Sequence, residues 1–379
     1  MQERRLTSLD AVRGLAACVV VISHCYLTMI SDDRRTQLES SFWFDLLRPL
    51  HNGDAAVIIF FVLSGYVLSL PFFRGTQLTY PRYVVRRACR IYIPFAVSVF
   101  LALLLYTLAG PPNAPDASQW FNTLWPPEQP GISAIAGHLL MTGTNPDIRL
   151  NPSLWTLVYE MRISLLFPLL MLLCRDSRIA LVGGLVLLKL STKGLSCDQC
   201  HHPAHAETIG VTLLWTVQIV PYFITGILLS KHRKQLHRLY ERIPNALAVA
   251  LFLIPALAFI VTPDFVFAKR DALYAFGAAV LIILAVENAG FRGFLDHRIP
   301  QWLGRISYST YLIHLPLMLA AAPLLLGWMP PAVATAVLFG LSLAAGTLMH
   351  AVVEAPAINL GHRLTRRTKV PAQTAQADA

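Results

Sequence analysis

The sequence predicts an all-α protein: a polytopic membrane bundle of about ten transmembrane helices, with both termini in the cytoplasm. Three observations predict it. Of 379 residues, 55% are hydrophobic and only 14% are charged, with a mean hydropathy of +0.54; a soluble globular chain is about a quarter charged. The apolar residues collect into runs long enough to cross about 30 Å of hydrocarbon, at 9–30, 52–72, 88–110, 153–174, 178–193, 208–230, 245–262, 271–288, 305–327 and 331–354. If the N-terminus is inside, with Arg4 and Arg5, about 22 of the 31 Lys and Arg fall on the cytoplasmic side, as the positive-inside rule expects. An odd number of spans spoils that pattern.

The same clustering explains the net charge of +10 without nucleic acid. Basic residues sit in short groups between apolar runs, where they suit anionic headgroups or the phosphates of a cytosolic co-substrate. No long polar stretch interrupts the spans, so residues 1–365 read as one integral membrane domain and 366–379 as a disordered cytoplasmic tail. Leu15-Ala16-Ala17-Cys18 looks like a lipoprotein cleavage box, but its apolar run follows it, so a cleaved signal is not expected.

The first span, Leu6 to Ile30, carries Asp10, Arg13 and His24. Ionisable groups inside a span are costly and face a bundle interior or a watery cavity. Arg13 and His24 are 11 positions apart, which puts them within about 20° of one helix face and roughly 16 Å apart along the axis. A fixed cation and a titratable imidazole on one face suit a long anionic ligand held by Arg13 with its reactive end near His24. Snorkelling of Arg13 and a helix–helix contact for His24 are the structural alternatives.

The second span places Phe60, Phe61, Ser64 and Gly65 in mid-membrane. Gly and Ser permit close approach of a neighbouring helix or of a ligand. At its outer start lie Asn52 and Asp54, the latter suited to a helix start. The third opens on Arg82, Arg86, Arg87 and Arg90, with Arg86 and Arg90 one turn apart, a cationic density that favours phosphate over simple anchoring. The outer loop 111–131 is rich in Pro and Trp and is expected to lie over the outer face; Ile132 to Thr144 is too short to span and reads as re-entrant or interfacial. The run at 178–193 is short and carries Lys189.

Arg13 with ten residues to His24, then Phe60-Phe61-Val62-Leu63-Ser64-Gly65, then Arg87-Ala88-Cys89-Arg90, resemble the membrane-bound acyltransferase-3 family of surface-glycan O-acyltransferases. Asn151-Pro152-Ser153-Leu154-Trp155 through Glu160, the run Gly304 to His314, and Glu354-Ala355-Pro356 are similar to that family's later segments. The resemblance spans about residues 6 to 365. It implies an acyl-CoA donor, in the first instance acetyl-CoA, with no metal. It implies that His24 and Arg13 are required for catalysis and that Arg87, Arg90, Phe60, Phe61, Ser64 and Gly65 line the donor site, to which the cationic patch adds Arg86. Glu160 is a further catalytic candidate, suited to positioning an acceptor hydroxyl, relaying a proton or pairing with a cation across the bundle. Trp155, Asn151, Tyr311 and His314 become candidates for the acceptor, an envelope glycan or glycolipid. Tyr308 and Tyr311 also suit packing, and His314 an interhelical hydrogen bond. The implied location is the bacterial inner membrane, among its lipids, in an oligomeric state the sequence does not specify. After Glu160 the family often has Glu-Gln-Phe-Tyr where this chain has Met161-Arg162-Ile163-Ser164, which leaves Arg162 without a role.

Cys18, Cys25, Cys89 and Cys174 read as small packing residues. Cys197 and Cys200, with His201, His202 and His205 nearby, suit a disulfide or an accident of composition before zinc. A transporter shares the span count and buried charges, and an N-acyltransferase on an amino sugar shares the chemistry; acyl-CoA consumption and base-labile product would separate them.

Overall fold

The computed structural model describes residues 2–29, 39, 41–75, 79–115, 117–195, 202–260 and 267–366. Cys197, Cys200 and His201 lie outside these residues, as does the tail from 367 onward. The described residues contain helices and no strand.

Helix α1 (Gln2–Met29) is followed by α2 (Gly53–Phe73). Next come α3 (Tyr80–Arg87), a π-helical turn Ala88–Tyr92 and α4 (Ile93–Ala109). Then follow α5 (Trp155–Leu165), α6 (Phe167–Leu173), α7 (Ser177–Gly194), α8 (Ile209–Lys231), α9 (Phe267–Glu287) and α10 (Ala289–Leu295). The chain closes with α11 (Arg298–Leu326), α12 (Pro331–Met349), a second π-helical turn His350–Glu354 and α13 (Ala355–Leu364).

Among the described residues six helical stretches are long and apolar enough to cross a membrane, or eight if two bent pairs each count once. The bent pairs are Pro152–Leu165 with Phe167–Leu173, at 63°, and Arg270–Glu287 with Ala289–Leu295, at 89°. The first bend falls at Leu166, just before Pro168, which cannot donate a helical N–H. The second falls at Asn288, whose side chain accepts from Phe291 N at 2.8 Å and starts a new helix. The shortfall from ten has two causes. Helix α7 carries Arg178, Lys189 and Lys193, and the run at 245–262 is split into Asn245–Ala250 and Leu253–Ile260. Large apolar side chains such as Phe100, Leu104, Leu108 and Leu185 point outward, Leu108 being 76% exposed; an aqueous surface would not keep such a belt, and lipid requires it.

Two glycine pairs set the close helix crossings. A Cβ on Gly14 would strike the backbone at Leu303 and Gly304, and one on Gly304 would strike Asp10, so α1 and α11 touch without intervening side chains. Gly65 and Gly226 meet in the same way, against Phe223 and Val62, where α2 crosses α8. Asn52 caps α2 by accepting from Ala55 N at 3.0 Å, and it donates to Phe259 O at 2.9 Å and Tyr274 Oη at 3.0 Å. The cap is therefore Asn52, and Asp54 lies in the first turn, 3.3 Å from the Arg270 guanidinium. Ile132–Leu139 forms a short helix, followed by a turn in which Met141 has φ 56°.

Candidate functional site

The crossings hold α1, α2, α5 and α11 around two cavities. The first, about 780 Å³, is lined by Arg13 of α1, Phe60, Phe61 and Ser64 of α2, Arg87 and Arg90 from around the π-helical turn, Glu160 of α5 and Tyr311 of α11. Eight residues singled out from the sequence converge there. The second, about 940 Å³, is lined by His24, Asn52, Asp54, Trp155, His202 and again Tyr311. Val57 and Tyr311 line both, so the two chambers meet at those side chains. Val57 also lines a third cavity, about 400 Å³, bounded by Asp54, Trp155, Tyr222, Arg270 and Asp271.

The arginine chamber is electropositive by construction. Arg13 Nη1 reaches Asp10 Oδ1 at 2.9 Å, whereas neither Arg87 nor Arg90 forms an ion pair among the described residues. Arg87 lies over the Tyr83 ring, 5.9 Å from its centre, and Tyr83 Oη donates to Ser164 O at 2.9 Å. The π-helical turn inserts a residue beside Arg90, a device common where a helix must aim a side chain. Glu160 is the only carboxylate among the residues lining this chamber, and its Oε1 accepts from Ser64 Oγ at 3.2 Å.

In the histidine chamber, His24 stacks on Trp120, with centroids 5.7 Å apart and planes at 16°. Ser118 caps the helix that carries Trp120 and donates to Leu27 O at 2.5 Å, which pins the outer loop to the end of α1. His24 Nδ1 lies 3.0 Å from His314 Nε2. Tyr311 Oη accepts from Thr156 at 2.8 Å and donates to Ser153 O at 2.8 Å, so the shared wall is fixed from both sides. Trp155 and His202 meet edge to face at 5.2 Å. Burial pushes the His202 imidazole down to about 4, opposed by Asp54 and aided by His205 and Arg270.

Four residues singled out from the sequence stand elsewhere. Gly65 sits at the α2–α8 crossing, facing Phe223. Arg86 Nε donates to Thr365 Oγ1 at 2.7 Å, towards the end of α13. Asn151 is buried and donates to Leu312 O at 2.8 Å. His314 is buried behind His24. Arg162 gains a role: it donates to Met141 O, Thr142 O and the Thr212 and Thr216 hydroxyls, tying the positive-φ turn at Met141 to α8. The sequence reading missed Trp120, Thr156 and the Asp54–Arg270–Asp271 cluster. Trp120 lay in a loop flagged only for composition, and Arg270 at the polar edge of an apolar run. No group of three His, Cys, Asp or Glu able to hold a metal is found among the described residues.

A family profile described as an acyltransferase domain matches residues 6–351. The chain is similar to the acyltransferase MdmB of Streptomyces mycarofaciens, 27% identical, over 94% of this chain and 92% of that one. It is also similar to the O-acetyltransferase PaAT-1 of Phomopsis amygdali, 23% identical, over 82% of this chain and 71% of that one. No solved structure matches.

Proposed function

The chain belongs to the acyltransferase domain family, and from that premise we propose that this multi-pass membrane enzyme moves an acetyl group from coenzyme A to a hydroxyl of a cell-envelope polysaccharide or glycolipid. The observation that carries the reading is that Val57 and Tyr311 border both a chamber holding three arginines and one holding a histidine, so the two chambers are adjacent. An anionic donor can lie in the first and present its thioester to the second.

In this reading Arg87 and Arg90 take the donor phosphates at the mouth, and Arg13 holds the chain of the donor farther in. Arginine suits the task because its charge is permanent and its donors are forked. His24 takes the proton from the acceptor hydroxyl, whose oxygen attacks the thioester carbonyl. The carbon–sulfur bond breaks and the thiol leaves with the proton. An acyl-His24 intermediate is the two-step version of the same route. Trp155 and Asp54 offer a flat face and a hydrogen-bond acceptor to a sugar in the histidine chamber. The topology proposed with it has ten spans, adding α7 and the 245–260 segment to the eight, with both termini in the cytoplasm of a bacterial inner membrane.

Purified enzyme supplied with acetyl-CoA and an envelope sugar acceptor is expected to release free thiol and form a base-labile ester. Arg87→Ala and Arg90→Ala should each raise the donor KM by about 10- to 100-fold, at the ~1.5–3 kcal/mol of a charged hydrogen bond. Unchanged donor KM in both, or a base-stable amide as product, overturns the assignment.

A further inference from the structure

We infer that His314 is a positioning residue which holds His24 in one tautomer, protonated at Nδ1, so that Nε2 is the catalytic base; the inference rests on the reading of His24 as that base.

The argument is one of hydrogen-bond bookkeeping. His314 is fully buried in α11. Its Nδ1 lies 2.8 Å from Tyr311 O and 3.2 Å from Thr310 O. A carbonyl oxygen only accepts, so Nδ1 of His314 carries hydrogen. No carboxylate forms an ion pair with His314 among the described residues, and an unpaired charge would be costly at such a site, so the ring is neutral. Its Nε2 then presents a lone pair. The atom facing that lone pair at 3.0 Å is His24 Nδ1, which must therefore be the donor. A neutral imidazole with hydrogen on Nδ1 has its own lone pair on Nε2. The opposite tautomer of His24 would set two lone pairs against each other.

The arrangement also suits the chemistry. The acceptor hydroxyl gives its proton to His24 Nε2, its oxygen forms the new bond to the acyl carbon, and the carbon–sulfur bond breaks. The proton on Nε2 then goes to the departing sulfur. While His24 is an imidazolium its Nδ1–H is a charged donor, and the bond to His314 is stronger then than before. Stabilisation that grows along the reaction raises kcat and leaves ground-state binding alone. Trp120 stacked on the His24 ring keeps the imidazole plane fixed, so the tautomer and the orientation are set by different neighbours. The carbonyl of Tyr311 anchors His314 while its ring forms the wall between the chambers, so one turn of α11 sets both the junction and the base.

The test compares His314→Phe, which keeps a ring of similar size without an acceptor, and His314→Gln, whose side-chain carbonyl can take the His24 Nδ1–H. Both are measured per folded molecule, with size-exclusion profile and thermal midpoint as controls. His314→Phe is expected to lower kcat by about 10²-fold, in the range of other groups that orient a catalytic histidine, with the acetyl-CoA KM within about twofold of the parent. His314→Gln should recover about tenfold of that loss. A His314→Phe variant within threefold of the parent, a raised KM at unchanged kcat, or equal impairment of the two variants each overturns the inference. His24→Ala separates it from the underlying reading: an active His24→Ala enzyme removes the base itself, whereas an inactive one beside a fully active His314→Phe removes only the role of His314.

Discussion

Ser64 Oγ donates to Glu160 Oε1 at 3.2 Å, and this bond joins α2 to α5 across a chamber otherwise dominated by arginine. Two polar side chains from separate helices thus meet where three cations line the wall. A lone carboxylate there lowers the local positive potential without cancelling it, which leaves room for an anion.

Glu160→Gln keeps an oxygen for Ser64 and removes the charge. The expected result is tighter binding of coenzyme A, by about three- to tenfold, because one like-charged neighbour of the donor is gone, worth about 1 kcal/mol at the partly screened distances of such a site. Titration calorimetry on purified enzyme measures it. Weakening by tenfold would mean that Glu160 touches the donor as a hydrogen-bond acceptor, contrary to the electrostatic account.

Much of this chamber could be read from the chain before any coordinates. The spacing of Arg13 and His24 fixes a shared helix face whatever the neighbours do, and both side chains do point into cavities. Arg87 and Arg90 stood out because Arg82, Arg86, Arg87 and Arg90 are a denser cationic patch than orienting one span needs. Non-local geometry was out of reach. Nothing in the sequence pairs His24 with Trp120 or with His314, which are 96 and 290 positions away. Span count was the weakest inference, because hydropathy reports composition and not continuity: α7 carries three cations, the 245–262 run is split in two, and two further spans bend at Leu166 and Asn288. Gly65 shows the other limit, since close approach of a helix and of a ligand ask for the same residue.

Gly65→Ala separates those two demands. A methyl group there meets the Phe223 backbone, which cannot rotate away, so α2 and α8 must part. Overpacking of this kind costs about 1–3 kcal/mol. The thermal midpoint in detergent is expected to fall by several degrees, while the folded fraction keeps the parent donor KM. A normal midpoint with a raised KM would return Gly65 to the donor site.

His202 supplies a pH dependence. Its imidazole sits at about 4 in the fold, against about 6.5 in the unfolded chain, because burial disfavours its charge. Between those values the unfolded state binds more protons, so the contribution is fully present above about pH 6.5 and is lost as the pH falls towards 4. His202→Gln is expected to flatten the fall in thermal midpoint between about pH 6.5 and 5 relative to the parent. Parallel curves for the two proteins would show that His202 is solvated in both states.

Val57 lines the arginine chamber, the histidine chamber and the cavity beside Arg270, and it shares with Tyr311 the boundary between the first two. In the proposed reading the thioester crosses this boundary, and a larger side chain there obstructs it. Val57→Trp is therefore expected to leave coenzyme A affinity within about threefold while turnover falls by more than about tenfold, as misplacement of a reacting group by 1 Å can cost 10²-fold. Val57→Ala widens the passage and should keep turnover near the parent, with a loss of about 1 kcal/mol in stability for the missing methyl groups. The pair distinguishes a passage from a packing contact. If the tryptophan variant binds donor and turns over normally, the thioester does not travel past Val57, and the two chambers serve different ligands.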